Sequence, residues 1–182
     1  MAKLAAKVYG DALFETAVEK QKVDELFDEV QQLRQVFSEN EELMHLLTHP
    51  KIVKEEKISV IEKVFHGRIC DELMGFLTII VDKGRQKEIL QIFDYFIGEV
   101  KQYKKIGVVY VKSAVALNDG QKARIEEKLL KTTAFVKLEM HYQVDEKLIG
   151  GLVIRIGDRV VDSSIQTKLE EMKRELMKLQ LA

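Results

Sequence analysis

Apolar residues in the first part of the chain recur at helical spacing, with almost no strand-like alternation. One such set runs along a single helix face: Val23, Leu26, Phe27, Val30, Leu33 and Phe37. Equivalent sets before and after it, separated by short connections, predict a six-helix bundle over residues 1–105. The fifth helix, from about Cys70 to Asp82, is apolar nearly all round. It is therefore either buried on every side or open along one stripe to a partner helix.

The pattern changes near Lys105, where apolar residues begin to alternate with polar ones. Three segments behave this way: the residues around 109–115, those around 136–142, and the run from Leu152 to Ile156. Between the first two, Asn118 lies three residues before Gln121, the spacing of a capped helix start. We therefore predict an α+β protein with a second, β-α-β-β-α domain over residues 106–182.

The segment 150–165 is predicted to organise this second domain. Glycines precede a strand, a Gly-Asp turn follows it, and Ser163 lies three residues before Gln166, which is capping-box spacing. The residues predicted to be structural here are Gly150, Gly151, Gly157, Asp158, Asp162 and Ser164.

The last helix has a narrow apolar seam of the kind found in coiled coils. Its members are Ile165, Leu169, Met172, Leu176 and Leu179, spaced alternately four and three residues apart. The seam fits either the sheet of the same domain or a helix of another chain.

Composition restricts the function further. The chain has 182 residues, a net charge of −1 and a single cysteine, Cys70, which predicts a reducing compartment without a disulfide. The start is charged, so no signal peptide is predicted, and the longest apolar run spans nine residues, Leu73 to Val81. That run is too short to cross a bilayer, so any membrane association is expected to be through partners.

Few side chains have the type and spacing needed for catalysis or metal binding. His45 and His49 have the i, i+4 spacing of metal ligands, but no glutamate follows His45 and Pro50 ends the helix. Cys70 with His66 four residues earlier has the spacing of an activated thiol, although a lone cysteine at the start of an apolar helix is more often a small hydrophobic residue. No glycine-rich phosphate loop occurs. We predict no catalytic residue, no metal and no cofactor.

Several short motifs in order resemble one family over essentially the full length. They are Tyr9-x-x-Ala12-Leu13-Phe14, His49-Pro50 with Lys57, Gly84-Arg85, Val111-x-Ser113-Ala114-x-Ala116-Leu117, Val144-Asp145, Leu148-Ile149-Gly150-Gly151 and Ile156-Gly157-Asp158-x-x-x-Asp162-x-Ser164-Ile165, with Leu169 after them. The chain resembles the delta subunit of bacterial ATP synthase and the mitochondrial oligomycin-sensitivity-conferring protein. It departs from the family at Gly10, where alanine is usual, and at Glu146, where proline is frequent.

The resemblance implies a non-catalytic stator subunit that couples proton flow to ATP synthesis. Residues 1–105 are then expected to bind the amino-terminal helix of an alpha subunit, and residues 106–182 the b subunits of the peripheral stalk. The implied alpha-binding groove lies between the first and fifth helices, with Tyr9, Ala12, Leu13, Phe76, Ile79 and Ile80 as candidates. The implied location is peripheral, at the cytoplasmic face of the cell membrane. The alternatives are a helical adaptor or a nucleic-acid-binding module, and the latter is disfavoured because no aromatic and basic stacking surface is evident.

Overall fold

The computed structural model describes residues 2–179, with side chains from residue 4 to residue 177. The chain divides into two compact units, 1–101 and 102–182. It is α+β, as the sequence predicts: the described residues form eight α-helices and one four-stranded mixed sheet.

The described part of the first unit contains six α-helices. They are α1 (Ala2–Glu19), α2 (Val23–Glu39), α3 (Glu41–Thr48), α4 (Lys54–Phe65), α5 (Asp71–Asp82) and α6 (Ile89–Tyr103), with a short 3-10 helix, Gln86–Glu88, before α6. One hydrophobic core draws residues from all six helices. Phe37 lies within it, its ring 5.8 Å from that of Phe65 and 6.0 Å from that of Phe93. Each helix turns an apolar stripe toward this core.

The packing of α1 against α6 explains why position 10 is a glycine. A Cβ placed on Gly10 would collide with the ring of Tyr95 in α6, whose hydroxyl donates to the carboxylate of Asp11 at 2.9 Å. The aromatic ring therefore occupies the space that a side chain at position 10 would need. The conformational cost of a glycine inside α1, about 1 kcal/mol, is offset by the close approach of α1 and α6.

The second unit is built on the sheet. Its elements are β1 (Ile106–Ser113), α7 (Asp119–Thr132), β2 (Lys137–Val144), β3 (Leu152–Ile156), β4 (Arg159–Asp162) and α8 (Ile165–Leu179). The strand order is β2-β1-β3-β4, with β1 parallel to β2 and antiparallel to β3, and β3 antiparallel to β4. The crossover from β1 to β2 passes through α7, as parallel neighbours require.

The prediction for the second domain is wrong in two details, the number of strands and the position of the cap of α8. Residues 159–162 form a fourth strand, so the order is β-α-β-β-β-α; Gly157, with φ of 55°, and Asp158 make the two-residue turn between β3 and β4. The cap of α8 is also one residue later than predicted. Ser164 accepts the backbone N–H of Thr167 at 3.2 Å, whereas the hydroxyl of Ser163 donates to the carbonyl of Leu152.

Candidate interaction surfaces

Apolar side chains remain exposed along one side of α1. Leu4 is 69% and Val8 57% exposed, and Ala12 is exposed as well. Residues four apart lie on one face of a helix, so these three form a continuous row. We call this row the α1 strip.

A second row lies on α5. Most apolar residues of helix α5 are buried in the core, namely Leu73, Phe76, Leu77, Ile80 and Val81. Ile79, in contrast, is 51% exposed. Gly75, one turn before Ile79, is also exposed, and a Cβ added there would meet no atom within 4 Å. Together they form a shallow apolar surface, the α5 strip, on which another backbone has room to approach. The helix is therefore not buried on every side.

The six groove candidates divide between the surface and the core. Ala12 and Ile79 are exposed, and Tyr9 is half-buried. The other three are core residues: Leu13, Phe76 and Ile80 are at most 9% exposed. Sequence reasoning missed Leu4, Val8 and Gly75, although the spacing of Leu4 and Val8 with Ala12 was a readable signal.

Ion pairs join the connection between α1 and α2 to the start of α5. The carboxylate of Glu72 lies 3.3 Å from the ammonium groups of both Lys20 and Lys22. The backbone N–H of Glu72 itself, followed by Lys22, lowers the pKa of this carboxyl from 4.5 to about 2. Glu72 is therefore better stabilised as an anion in the folded protein than in the unfolded chain.

We expect Glu72→Gln to lower the thermal midpoint at neutral pH. A carboxyl whose pKa falls on folding contributes stability above its unfolded pKa, near 4.5, and loses that contribution as the pH falls toward about 2. The difference in midpoint between wild type and variant should therefore shrink below about pH 4.5. Thermal melts by circular dichroism from pH 7 to pH 3 measure it, with exposed Glu15→Gln as the control. A difference that stays constant with pH would contradict this assignment.

The described seam of α8 is open to solvent. Leu169, Met172 and Leu176 are 52%, 61% and 64% exposed, and Ile165 is 44% exposed. The side chain of Leu179 lies outside the described residues. Since no described element of the second unit covers this seam, it forms a free apolar surface.

Gly150 and Gly151 hold the start of α8 beside β3. A Cβ on Gly150 would lie 2.7 Å from Cδ1 of Ile165, and the carbonyl of Gly150 accepts the N–H of Ile165 at 3.0 Å. Gly151 has φ of 81°, and a Cβ there would collide with the backbone carbonyl of Ser163. Position 151 needs glycine because its backbone has a positive φ and passes in contact with another backbone segment, whereas at position 150 an added side chain meets only the end of the Ile165 side chain.

Hydrogen bonds fix the direction in which α8 leaves the sheet. The two carboxylate oxygens of Asp162 accept the N–H of Ser164 and the hydroxyl of Thr167, both at 2.8 Å. The N–H of Ser164 is the main cause that lowers the pKa of Asp162. Ser164 caps the helix, and the Asp162 carboxylate lies beside its first turn, where a negative charge is favoured.

The cysteine and histidines considered above, Cys70, His45 and His49, do not form a catalytic or metal-binding site. Burial raises the pKa of the Cys70 thiol to about 12, so its thiolate is scarce at neutral pH. The rings of His45 and His49 are 6.4 Å apart, and the described residues contain no group of three potential metal ligands. None of the described helices has the length and apolar content to span a membrane.

Comparison with known proteins identifies the family. The model of the ATP synthase delta (OSCP) subunit family matches residues 5–176. The chain is 51% identical to ATP synthase subunit delta of Lachnoclostridium phytofermentans, over 100% of both chains, and 33% identical to that of Alkaliphilus oremlandii, over 98% of this chain and 99% of the relative. A chain in the Toxoplasma gondii mitochondrial ATP synthase hexamer shares the fold, with a TM-score of 0.73 at 16% identity, over 94% of this chain and 97% of that one. The chain therefore belongs to the ATP synthase delta (OSCP) subunit family, a family of non-catalytic stator components.

Proposed function

We propose that the first unit of this stator subunit binds the amino-terminal helix of an alpha subunit of the catalytic head. The α1 and α5 strips support this proposal, because they are exposed apolar rows on helices that are otherwise packed into a core. Leu4, Val8, Ala12, Gly75 and Ile79 make the contact. Leu13, Phe76 and Ile80 act indirectly, since they hold the two helices in place from the core.

The second unit holds the b subunits of the peripheral stalk, mainly through the seam of α8. The observation that supports this is the exposure of Leu169, Met172 and Leu176 at coiled-coil spacing. With one unit on the head and the other on the stalk, the subunit resists rotor torque while proton flow drives ATP synthesis. The protein then works at the cytoplasmic face of the cell membrane, attached through its partners. The helical-adaptor and nucleic-acid alternatives have no support in the family comparison.

Two titrations of the full-length protein test whether the first unit binds alpha and the second unit binds b. A peptide of the alpha amino terminus and the soluble part of the b subunit, both from the same organism, are titrated against wild type, Ile79→Asp and Leu169→Asp. We expect each variant to lose one partner and keep the other. Loss of both partners in each variant would overturn the assignment of one partner to each unit.

Gly75 gives a sharper test of the alpha contact. Gly75→Ala should stabilise the free protein by about 0.5–1 kcal/mol, because alanine favours the helix and its methyl group meets no atom. The same methyl group should weaken binding of the alpha peptide about tenfold, because it fills the space needed by a closely packed helix.

Gly98→Ala is the matched control for this prediction. Gly98 is also inside a helix, α6, and a Cβ added there would likewise meet no atom within 4 Å. It should therefore give a similar gain in stability and leave peptide binding unchanged. Equal binding by Gly75→Ala and wild type would exclude the α5 strip from the contact.

A further inference from the structure

One face of the sheet is only half covered by the described residues of the second unit. Four strands span about 19 Å, whereas one helix with its side chains covers about 10–12 Å. Helix α7 packs on the β2 side of this face, where Val109, Val111 and Leu138 are buried. On the same face, β3 carries only half-buried residues, and Val161 in β4 is 63% exposed.

The uncovered half forms an apolar groove of about 540 Å³ between α7 and strands β3 and β4. Ile154, Ile156 and Val161 line its floor, and Ile125 and Leu129 of α7 line its wall. We call it the α7–β4 groove.

Three cations border this groove, and none of the described residues that line it carries a carboxylate. They are Arg124 and Lys128 of α7 and Arg159 of β4. Within the described residues none of the three lies within ion-pair distance of an acid, in contrast to Lys122 and Lys131 of the same helix. The sheet face that carries Lys112 differs, since Glu139 and Asp162 also lie on it. The cationic border is therefore a property of the groove and not of the whole unit.

The groove meets the seam of α8 at one corner. Ser163 lines the groove, and α8 begins two residues later at Ile165, its direction fixed by the hydrogen bonds that Asp162 accepts from Ser164 and Thr167. In this geometry α8 packs on the Glu146–Leu148 segment and leaves its own seam exposed. The groove and the seam are thus adjacent apolar surfaces.

We infer that the α7–β4 groove receives an amphipathic helix with acidic residues flanking its apolar face, contributed by the peripheral-stalk partner. This inference rests on the proposed binding of the stalk by the second unit and adds a second contact with its own chemistry. A helix fits because the floor presents side chains and not the free backbone groups of a sheet edge. Its carboxylates pair with Arg124, Lys128 and Arg159, which also sets its direction.

Charge reversal in the full-length protein tests the inference. The double variant Arg124→Glu/Lys128→Glu should bind the soluble part of the b subunit at least about thirtyfold more weakly than wild type, with a reduced dependence on salt. Val161→Asp should weaken binding by adding a charge to the apolar floor. Lys112→Glu, an exposed charge reversal on the opposite face, is the control and should bind as wild type does. Since the altered groove residues are exposed, thermal melts should show all variants folded.

The outcomes separate this inference from the proposed function. Wild-type protein that fails to bind b overturns both. Normal b binding by the groove variants, together with loss in Leu169→Asp, overturns only the groove and leaves the α8 contact. The other occupant considered for the α7–β4 groove is a single anionic amphiphile. Titration with dodecanoate tests whether the groove binds such a molecule. Dodecanoate binding that is lost in the double variant, with b binding unchanged, also overturns the helix assignment.

Discussion

Ile79→Asp is expected to leave the protein folded and to abolish most of its affinity for the alpha amino-terminal helix. Ile79 is 51% exposed and does not belong to the core, so the free protein tolerates the carboxylate. In the complex the same carboxylate would be buried against an apolar partner without a hydrogen-bonding group. Burying it costs about 2–4 kcal/mol, which corresponds to a loss of roughly 30- to 1000-fold in affinity.

The measurement combines a peptide titration with circular dichroism on the same samples. Val36→Asp provides the control, because Val36 is an exposed valine on α2, outside the proposed surface. It adds the same charge to the same unit and should bind as wild type does. An Ile79→Asp protein that is folded and binds with wild-type affinity would exclude α5 from the interface, whereas unfolding would show that Ile79 belongs to the core in solution.

Gly151→Ala should have the largest effect on the second unit. The new Cβ would meet the backbone carbonyl of Ser163, and the residue would keep φ near 81°, which side chains disfavour. A backbone carbonyl cannot rotate away as a side chain can, so the contact between β3 and the start of α8 must open. We expect a loss of roughly 1–3 kcal/mol and weakened attachment of b, with alpha-peptide binding preserved.

Two neighbouring glycines separate the causes of this effect. Gly157→Ala tests the positive φ alone, since φ is 55° and no atom lies within 4 Å of the added Cβ; it should cost about 1 kcal/mol. Gly150→Asp meets only the end of the Ile165 side chain, so we expect a shifted α8 and weaker b binding in a folded unit. Urea unfolding and pull-down of both partners measure these effects. Equal loss of both partners in Gly151→Ala would mean that the units do not act separately.

Local signals predicted the structure well where the residues that interact are close in sequence. The capping box of Asn118 and Gln121 is present, with reciprocal hydrogen bonds of 2.8 and 3.0 Å. The strand β4 was missed because its two adjacent valines do not alternate with polar residues, and it forms only through pairing with β3. Strand pairing depends on the tertiary fold, which a short window does not contain.

The candidate surfaces were predicted less well, for a related reason. In a helix that is apolar all round, as α5 is, composition does not indicate which side faces the core, so Phe76 and Ile80 were placed at the surface with Ile79. The basic border of the α7–β4 groove was not predicted at all. Arg159 joins Arg124 and Lys128 only when β4 pairs with β3, and each residue alone has the character of an ordinary solvated charge.

The junction at Ser163 determines how a mechanical load on α8 would enter the second unit. Tension along α8 enters the sheet through the backbone of β4, which ends at Asp162, and through Ser163, whose N–H and hydroxyl both donate to the carbonyl of Leu152 at 2.9 and 3.0 Å. Leu152 begins β3, which is bonded side by side to the eight-residue strand β1, itself bonded to β2 along its length. A pull directed along the strands loads these inter-strand hydrogen bonds together, in shear, and does not open them one at a time. The second unit is thus built to stretch little under a sustained pull in that direction.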